Sequence, residues 1–144
     1  MSTLFLDNLR QHIELFGTLH ALDADVQAAA EIAAQALKEG HKLMFCGNGG
    51  SAADSQHLAA ELTGRFIDDR RPLAAMALST DSSALTCIAN DYSFAEVFER
   101  QVRGLGRAGD CVIGISTSGQ SENVIRALTS ARMLGLSLIH ISEP

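Results

Sequence analysis

The chain has 144 residues, 47% of them hydrophobic, with twelve glycines, two prolines and no tryptophan. This length and composition favour one α/β domain that buries roughly two thirds of its unfolded surface. The apolar runs are too short to span a membrane, and the net charge of −6 includes no basic block, so neither a membrane nor nucleic acid is expected as partner.

Two helices are predicted before the first strand. Residues 2–22 carry apolar side chains at helical spacing, which places them on one face: Leu6, Leu9, Ile13 and Phe16. Asp23–Glu39 is an alanine-rich second helix, with Asp23 or Asp25 as its cap and Gly40 as its stop. The surface that these helices cover is either the sheet or another subunit.

A strand, a glycine-rich turn and a helix come next. Lys42–Cys46 is a short apolar run that predicts a buried strand, Gly47–Ser51 is the turn, and the following helix ends at Thr63–Gly64. Glycines let the backbone approach a ligand closely, and the first N–H groups of a helix face negative charge. This arrangement predicts an anion site.

The same helix carries Asp54, His57 and Glu61 on one face. We expect the anion site and the His/carboxylate pair to lie one or two turns apart, about the length of a small phosphosugar. His57 and Glu61 also have the spacing of two metal ligands, although no clear third ligand is present. A solvated helix face is the alternative.

Strands and helices then alternate, which predicts a parallel sheet with strands in chain order and helices on its faces. The first of these elements are a strand at Leu73–Leu78 and a helix at Ser82–Ile88, which is capped by Asp81 and broken by Ala89–Asp91. The next helix opens with a capping box from Ser93 to Glu96 and runs to Arg103. A strand at Asp110–Ile115 and a helix at Glu122–Leu134 follow.

The loop Ser116–Ser121, STSGQS, repeats the design of the glycine loop, since it follows a strand and precedes a helix. Both loops, and Asn90–Asp91, are expected at the carboxyl edge of the sheet, where ligands bind. The hydroxyl groups suit a phosphate monoester, and a helix-capping loop is the alternative. A dinucleotide site fits weakly, and a nucleoside-triphosphate loop lacks its lysine.

The three cysteines, Cys46, Cys87 and Cys111, have no metal-like spacing and lie in or beside apolar runs. We expect buried, reduced thiols in a cytoplasmic protein.

Three segments, CGNGGSAADSQHLAAELTGRF, IANDY and GDCVIGISTSGQSENVIRAL, closely resemble the phosphoheptose (sedoheptulose 7-phosphate) isomerases of the sugar-isomerase, or SIS, fold. The resemblance runs from the N-terminal helices to about Gly135. It implies a three-layer α/β sandwich with a central parallel sheet and N-terminal helices, assembled as a homotetramer in which the stripe Leu6, Leu9, Ile13 and Phe16 faces another subunit. The sheet would be incomplete in this chain.

The resemblance also implies roles for individual residues. Glu61 corresponds to the catalytic acid/base and touches the substrate, and His57 with Glu61 corresponds to part of a zinc site whose other ligands would lie beyond the end of this chain. The implied substrate contacts are Asn48, Gly49, Gly50, Asn90, Asp91, Ser116, Thr117, Ser118 and Ser121, with Ser51 beside them.

The implied reaction converts sedoheptulose 7-phosphate to D-glycero-D-manno-heptose 7-phosphate through an enediolate, the first step toward lipopolysaccharide heptose. A non-catalytic SIS module that binds a sugar phosphate or a protein is the alternative, and the absence of a carboxylate at position 61 would favour it. A nicotinamide-dependent dehydrogenase is a more distant one.

The C-terminal end departs from the resemblance. Residues 1–135 are expected to be the N-terminal part of the SIS domain, and residues 136–144, LSLIHISEP, a non-native tail. The alternative is a genuine strand built on Leu138, Ile139 and Ile141. In either case we expect the chain as written to be inactive, and His140 is not the family's catalytic histidine.

Overall fold

The structure, a computed structural model, describes residues 3–142. The chain divides into two compact units, the first ending at Glu31 and the second beginning at Ile32. The elements are α1 (Leu4–Thr18), α2 (Asp23–Lys38), β1 (Leu43–Gly47), α3 (Gly50–Thr63), β2 (Ala75–Ala77), α4 (Ser82–Asp91), α5 (Val97–Leu105), β3 (Cys111–Ser116), α6 (Glu122–Met133) and β4 (Ser137–Ser142), with 3-10 turns at Leu19–Leu22 and Phe94–Glu96.

The first unit begins with α1, whose N-cap is Thr3 through a hydroxyl that accepts from the N–H of Leu6 at 3.3 Å. No residue of α1 is buried, and the predicted apolar stripe is exposed. The prediction of an aspartate cap for α2 is wrong. Asp23 is already the first helical residue, because the 3-10 turn leads directly into the helix.

The second unit is built on a four-stranded parallel sheet in the order β2-β1-β3-β4. The parallel sheet is confirmed, but the expectation of strands in chain order is wrong. The chain places β2 on one side of β1 and then returns to place β3 on the other side. The strand order therefore reverses at β1, the arrangement that defines a topological switch point.

Alternate residues of the strands face two separate apolar cores, because successive side chains of a strand point to opposite faces. Met44 and Val112 pack with residues of α5 and α6, whereas Phe45 and Ile113 pack with residues of α3 and the second half of α2. The sheet therefore lies between two helical layers, which confirms the predicted three-layer sandwich.

Several predicted boundaries and contacts require correction. β2 is shorter than predicted. The predicted Asp81 cap is present, since the N–H of Ala84 donates to Asp81 Oδ1 at 2.9 Å. The helix that it starts, α4, is not interrupted at Ala89 and continues through Asp91. The capping box is wrong: the hydroxyl of Ser93 makes no cap hydrogen bond, and the N–H of Glu96 instead donates to the Ser93 carbonyl at 3.1 Å in a 3-10 turn.

The segment 137–142 is a strand here. β4 pairs with β3 in parallel, with Cys111 opposite Ser137 and Ser116 opposite Ser142. That is the conformation of the strand alternative, whereas the origin of the residues stays a prediction. Across residues 3–142, no helix combines the length and hydrophobicity that crossing a membrane requires.

Candidate functional site at the β1–β3 edge

The two predicted anion-binding loops lie at the same edge of the sheet. β1 and β3 are neighbours, and their pairing ends with Gly47 opposite Ile115. The glycine loop and the STSGQS loop therefore leave adjacent strands at the carboxyl edge, at the switch point where α/β sheets bind ligands.

The glycine loop is shaped by two glycines with different roles. A Cβ on Gly47 would lie 2.7 Å from the Cβ of Ser51 and 2.8 Å from the carbonyl oxygen of Ile115, so only glycine lets α3 approach β3 this closely. Gly49 has a φ of +55°, which favours glycine, and it stands at the N-cap of α3. The first two N–H groups of α3 have no partner within an α-helix and are available to an anion, whereas that of Ala52 donates to the Gly49 carbonyl at 3.1 Å.

The second loop holds its hydroxyl groups by contacts within the loop. Ser116 Oγ and Ser121 Oγ are 2.9 Å apart, and Ser118 Oγ accepts from the N–H of Gln120 at 3.2 Å. Ser121 is the N-cap of α6, but its side chain makes no cap hydrogen bond. This hydroxyl is therefore not used to cap the helix, which weakens the alternative of a simple capping loop.

A cavity of about 360 Å³ opens where the loops meet, lined by Asn48, Phe94, Ala95, Ser121, Glu122 and Asn123. The side-chain amides of Asn48 and Asn123 are paired: each Nδ2 donates to the other Oδ1 at 2.9 Å. Sequence reasoning missed Asn123, because an asparagine in the first turn of a helix has no distinctive pattern. The residue is 3% exposed.

Glu61 lies farther from the loops than predicted. It is eleven positions after Gly50 along α3, about 16 Å or three turns at the rise of an α-helix. The predicted spacing of one or two turns is therefore too short for Glu61. Its backbone carbonyl accepts from Arg70 Nη2 at 2.7 Å, which anchors the last turn of α3.

His57 and Glu61 are neighbours on α3, with His57 Nε2 3.7 Å from Glu61 Oε1. Their nitrogen and carboxylate donors fit two positions of a zinc ion, which takes three or four protein ligands. Within residues 3–142, no group of three histidine, cysteine, aspartate or glutamate side chains is close enough to hold an ion.

Asn90 and Asp91 lie in the last turn of α4 and do not line the cavity. Asn90 Nδ2 donates to Asp91 Oδ1 at 2.8 Å, and Cys87 Sγ donates to Asp91 Oδ2 at 3.4 Å. These hydrogen bonds, the one from Asn90 first, lower the pKa of the Asp91 carboxyl. The expectation that this pair joins the two loops stays a prediction.

The expectation of three buried thiols is right for two of them. Burial raises the pKa of Cys46 to about 12 and that of Cys111 to about 11. Cys87 is exposed, because it lies on the outer face of α4. A hydrogen bond to Asp91 and the charge of Asp91 raise the pKa of its thiol.

Residues 5–142 match the SIS domain family, so the three-layer sandwich with two small-residue loops at the switch point is that of an SIS domain. Among curated relatives, a phosphoheptose isomerase of Campylobacter concisus is 46% identical over 99% of this chain and 75% of its own length. The phosphoheptose isomerase of Helicobacter hepaticus is 49% identical over 99% of this chain and 72% of its own.

Solved structures agree. Phosphoheptose isomerase GmhA from Neisseria gonorrhoeae superposes with a TM-score of 0.83 at 48% identity, over 96% of this chain and 70% of that one. A phosphoheptose isomerase from Francisella tularensis gives a TM-score of 0.88 at 33% identity, over 97% and 76%. The chain belongs to the phosphoheptose isomerase family, and its class of activity is that of an isomerase.

Proposed function

We propose that this protein interconverts sedoheptulose 7-phosphate and D-glycero-D-manno-heptose 7-phosphate. The observation that carries the proposal is the apposition of the Gly47–Ser51 and Ser116–Ser121 loops at the β1–β3 edge. The names of the relatives supply the substrate class. The presence of Glu61 favours catalysis over a sugar-phosphate-binding module, since a proton transfer needs such a base.

The loops are proposed to anchor the phosphate. Hydroxyl groups of the STSGQS loop, together with the first N–H groups of α3, supply neutral donors for three phosphate oxygens. No lysine or arginine is among the residues that line the cavity, so the charge would be met by hydrogen bonds and the helix dipole. Anchoring a distant phosphate holds the reacting carbons in position without touching them.

Glu61 is proposed to move the proton. Its carboxylate takes a proton from C1 of the ketose, the electron pair forms the enediolate, and the resulting carboxylic acid returns a proton to C2. A second proton passes from O1 to O2, which balances the conversion of ketose to aldose. The side chain of Glu61 is 31% exposed and His57 is its neighbour, so the group is accessible to a substrate.

His57 and Glu61 would provide two ligands of a zinc ion, as the family resemblance implies. When bound, such an ion polarises the carbonyl oxygen of the substrate. We also propose a homo-oligomer, a tetramer by resemblance, because the apolar stripe of α1 has no buried residue in one chain. A cytoplasmic location and a role in lipopolysaccharide synthesis complete the proposal.

The test compares Glu61→Gln with Ser118→Ala in the intact protein that contains this chain. Glutamine keeps the size of glutamate but cannot take a proton, so kcat should fall by about two to four orders of magnitude while substrate still binds. Ser118→Ala removes one phosphate donor among several. It should cost about 1 kcal/mol, seen as a higher KM at nearly unchanged kcat.

Zinc content must be measured in each preparation, because Glu61→Gln would also remove a metal ligand. Near-normal turnover by a metal-replete Glu61→Gln protein would overturn the assignment of the base. The absence of turnover by the unmodified protein, with retained binding of the sugar phosphate, would favour the non-catalytic module.

A further inference from the structure

The reciprocal amide pair joins two segments that the sheet alone does not hold together. Asn48 is the first residue after β1, and the β1–β3 register ends one residue earlier, at Gly47 opposite Ile115. Asn123 is the second residue of α6, the helix that follows the STSGQS loop. The pair of hydrogen bonds is thus a direct link between the glycine loop and α6 beyond the last paired residues of the strands.

The pair is built for a fixed geometry. Asn123 is buried and Asn48 is half-buried, and both hydrogen bonds have a length of 2.9 Å, near the optimum for an amide. Two hydrogen bonds in one ring hold the two amide groups in a shared plane, which a single bond does not. A carboxamide has two N–H donors, so the pair leaves one N–H of Asn48 outside the ring.

Asn48, which carries this remaining donor, lines the cavity described above. The lining includes the exposed carboxylate of Glu122 but no basic side chain. The affinity for a phosphate group must then depend on how well the neutral donors of the two loops are aligned with each other. A small displacement of one loop against the other would separate donors that need to meet the same anion.

We infer that Asn123 is a positioning residue for phosphate binding: through Asn48 it holds the glycine loop in register with the STSGQS loop. The inference rests on the proposed function for the nature of the ligand, a phosphate monoester. It predicts an effect on binding and not on proton transfer, because Glu61 lies about 16 Å from the start of α3.

The experiment measures the affinity of the intact protein for inorganic phosphate, by thermal protection, alongside KM and kcat. In Asn123→Ala the link is lost, and we expect the dissociation constant for phosphate and KM to rise together by about tenfold, with kcat within about threefold of the unmodified protein. Asn123→Asp, of nearly equal shape, cannot donate to Asn48 and adds negative charge, so both constants should rise further.

A double-mutant cycle separates positioning from direct contact. If Asn123 acts through Asn48, adding Asn123→Ala to Asn48→Ala should weaken phosphate binding by less than twofold beyond Asn48→Ala alone. The matched control is Ser130→Ala. Ser130 is a buried polar residue of the same helix, and its hydroxyl donates to Glu99 Oε1 at 3.2 Å, away from the loops. It should lower thermal stability without changing phosphate affinity.

Unchanged phosphate affinity in both Asn123 variants, or additive effects in the cycle, would overturn the inference. If Asn123→Ala does not fold, Asn123→Ser, which is uncharged and too short to reach the Asn48 amide, decides the question in its place. Phosphate affinity is measured without turnover, so the inference and the proposed function can fail separately. If the unmodified protein has no isomerase activity but the Asn123 variants bind phosphate more weakly, the positioning role of Asn123 is retained and the proposed function is rejected.

Discussion

Arg126 of α6 donates from Nε to Oε2 of Glu99 in α5 at a distance of 2.8 Å. The other carboxylate oxygen of Glu99 accepts from the hydroxyl of Ser130, and Arg126 Nη2 lies 3.8 Å from Glu96 Oε1 at the end of the 3-10 turn. Arg126 therefore connects α6 with the turn that contributes Phe94 and Ala95 to the cavity. The longer contact with Glu96 thus runs from the helix that carries Asn123 to the turn that forms one wall of the site.

Replacing Arg126 by alanine should lower the free energy of unfolding by a small amount, measured by urea denaturation at neutral pH. The value is modest because the side chain is 39% exposed and the ion pair is screened by water. Arg132→Ala is the control, since Arg132 is an exposed arginine in the last turn of the same helix. A loss in Arg126→Ala no larger than that in the control would contradict this prediction.

A second ion pair lies at the opposite, amino edge of the sheet. The carboxylate of Asp110, 2% exposed, accepts from the ammonium group of Lys42, from the Lys42 N–H at 3.0 Å and from the Arg107 N–H at 2.8 Å. Burial alone would raise the pKa of Asp110, but these hydrogen bonds outweigh it and lower the pKa.

Asp110 should therefore make stability depend on pH in the acid range. A carboxyl with a lowered folded-state pKa contributes stability above its unfolded value of about 3.9, and this contribution is lost as pH falls through the folded value. Asp110→Asn should cost about 2–3 kcal/mol at pH 7. It should also flatten the fall in stability as pH decreases below the unfolded value. A variant whose acid titration parallels that of the unmodified protein would assign the acid sensitivity to other carboxylates.

Local patterns in the sequence predicted most of the elements, because each is encoded by nearby residues. The apolar run before Gly47 and the Asp81 cap both lead to the element that they predict. The strand order was missed because it depends on which helix covers which face of the sheet, and no local pattern states that. The break after Ile88 was misjudged for a related reason. Asn90 and Asp91 satisfy each other inside the last turn of α4 and need not end it.

The site was predicted in part. The two loops could be identified because small and hydroxyl residues after strands have a clear chemical use. Asn123 could not, since its partner Asn48 is 75 residues away in the chain and only the folded sheet brings them together. Glu61 lies farther along α3 than expected, because residues on one face of a helix can still be several turns apart.

The cysteines give a test of burial that needs no activity. Titration of the native protein with a thiol reagent at pH 8 should modify one cysteine, Cys87, and titration in denaturant should modify all three. The thiolate is the reactive form of cysteine, and burial raises the pKa values of Cys46 and Cys111, so little thiolate forms at these two positions. Asp91→Asn should accelerate the native reaction, because the hydrogen bond with Asp91 and then the charge of Asp91 raise the pKa of Cys87. Rapid modification of a second thiol would contradict the packing around β1 or β3.

Gly47→Ala should disturb both stability and the site. The added methyl group would lie 2.8 Å from the carbonyl oxygens of both Ile115 and Ser51, and neither backbone group can yield without moving α3 away from β3. We expect a loss of about 1–3 kcal/mol in the free energy of unfolding, and weaker binding of inorganic phosphate because the N-terminus of α3 shifts.

Gly104→Ala, in α5, is the matched control: nothing lies within 4 Å of its added methyl group. This variant should gain about 0.5–1 kcal/mol from the better helix propensity of alanine. Opposite signs for the two variants are the expected result of the urea titrations. A Gly47→Ala protein as stable as its control, with normal phosphate affinity, would show that α3 and β3 do not need this close approach.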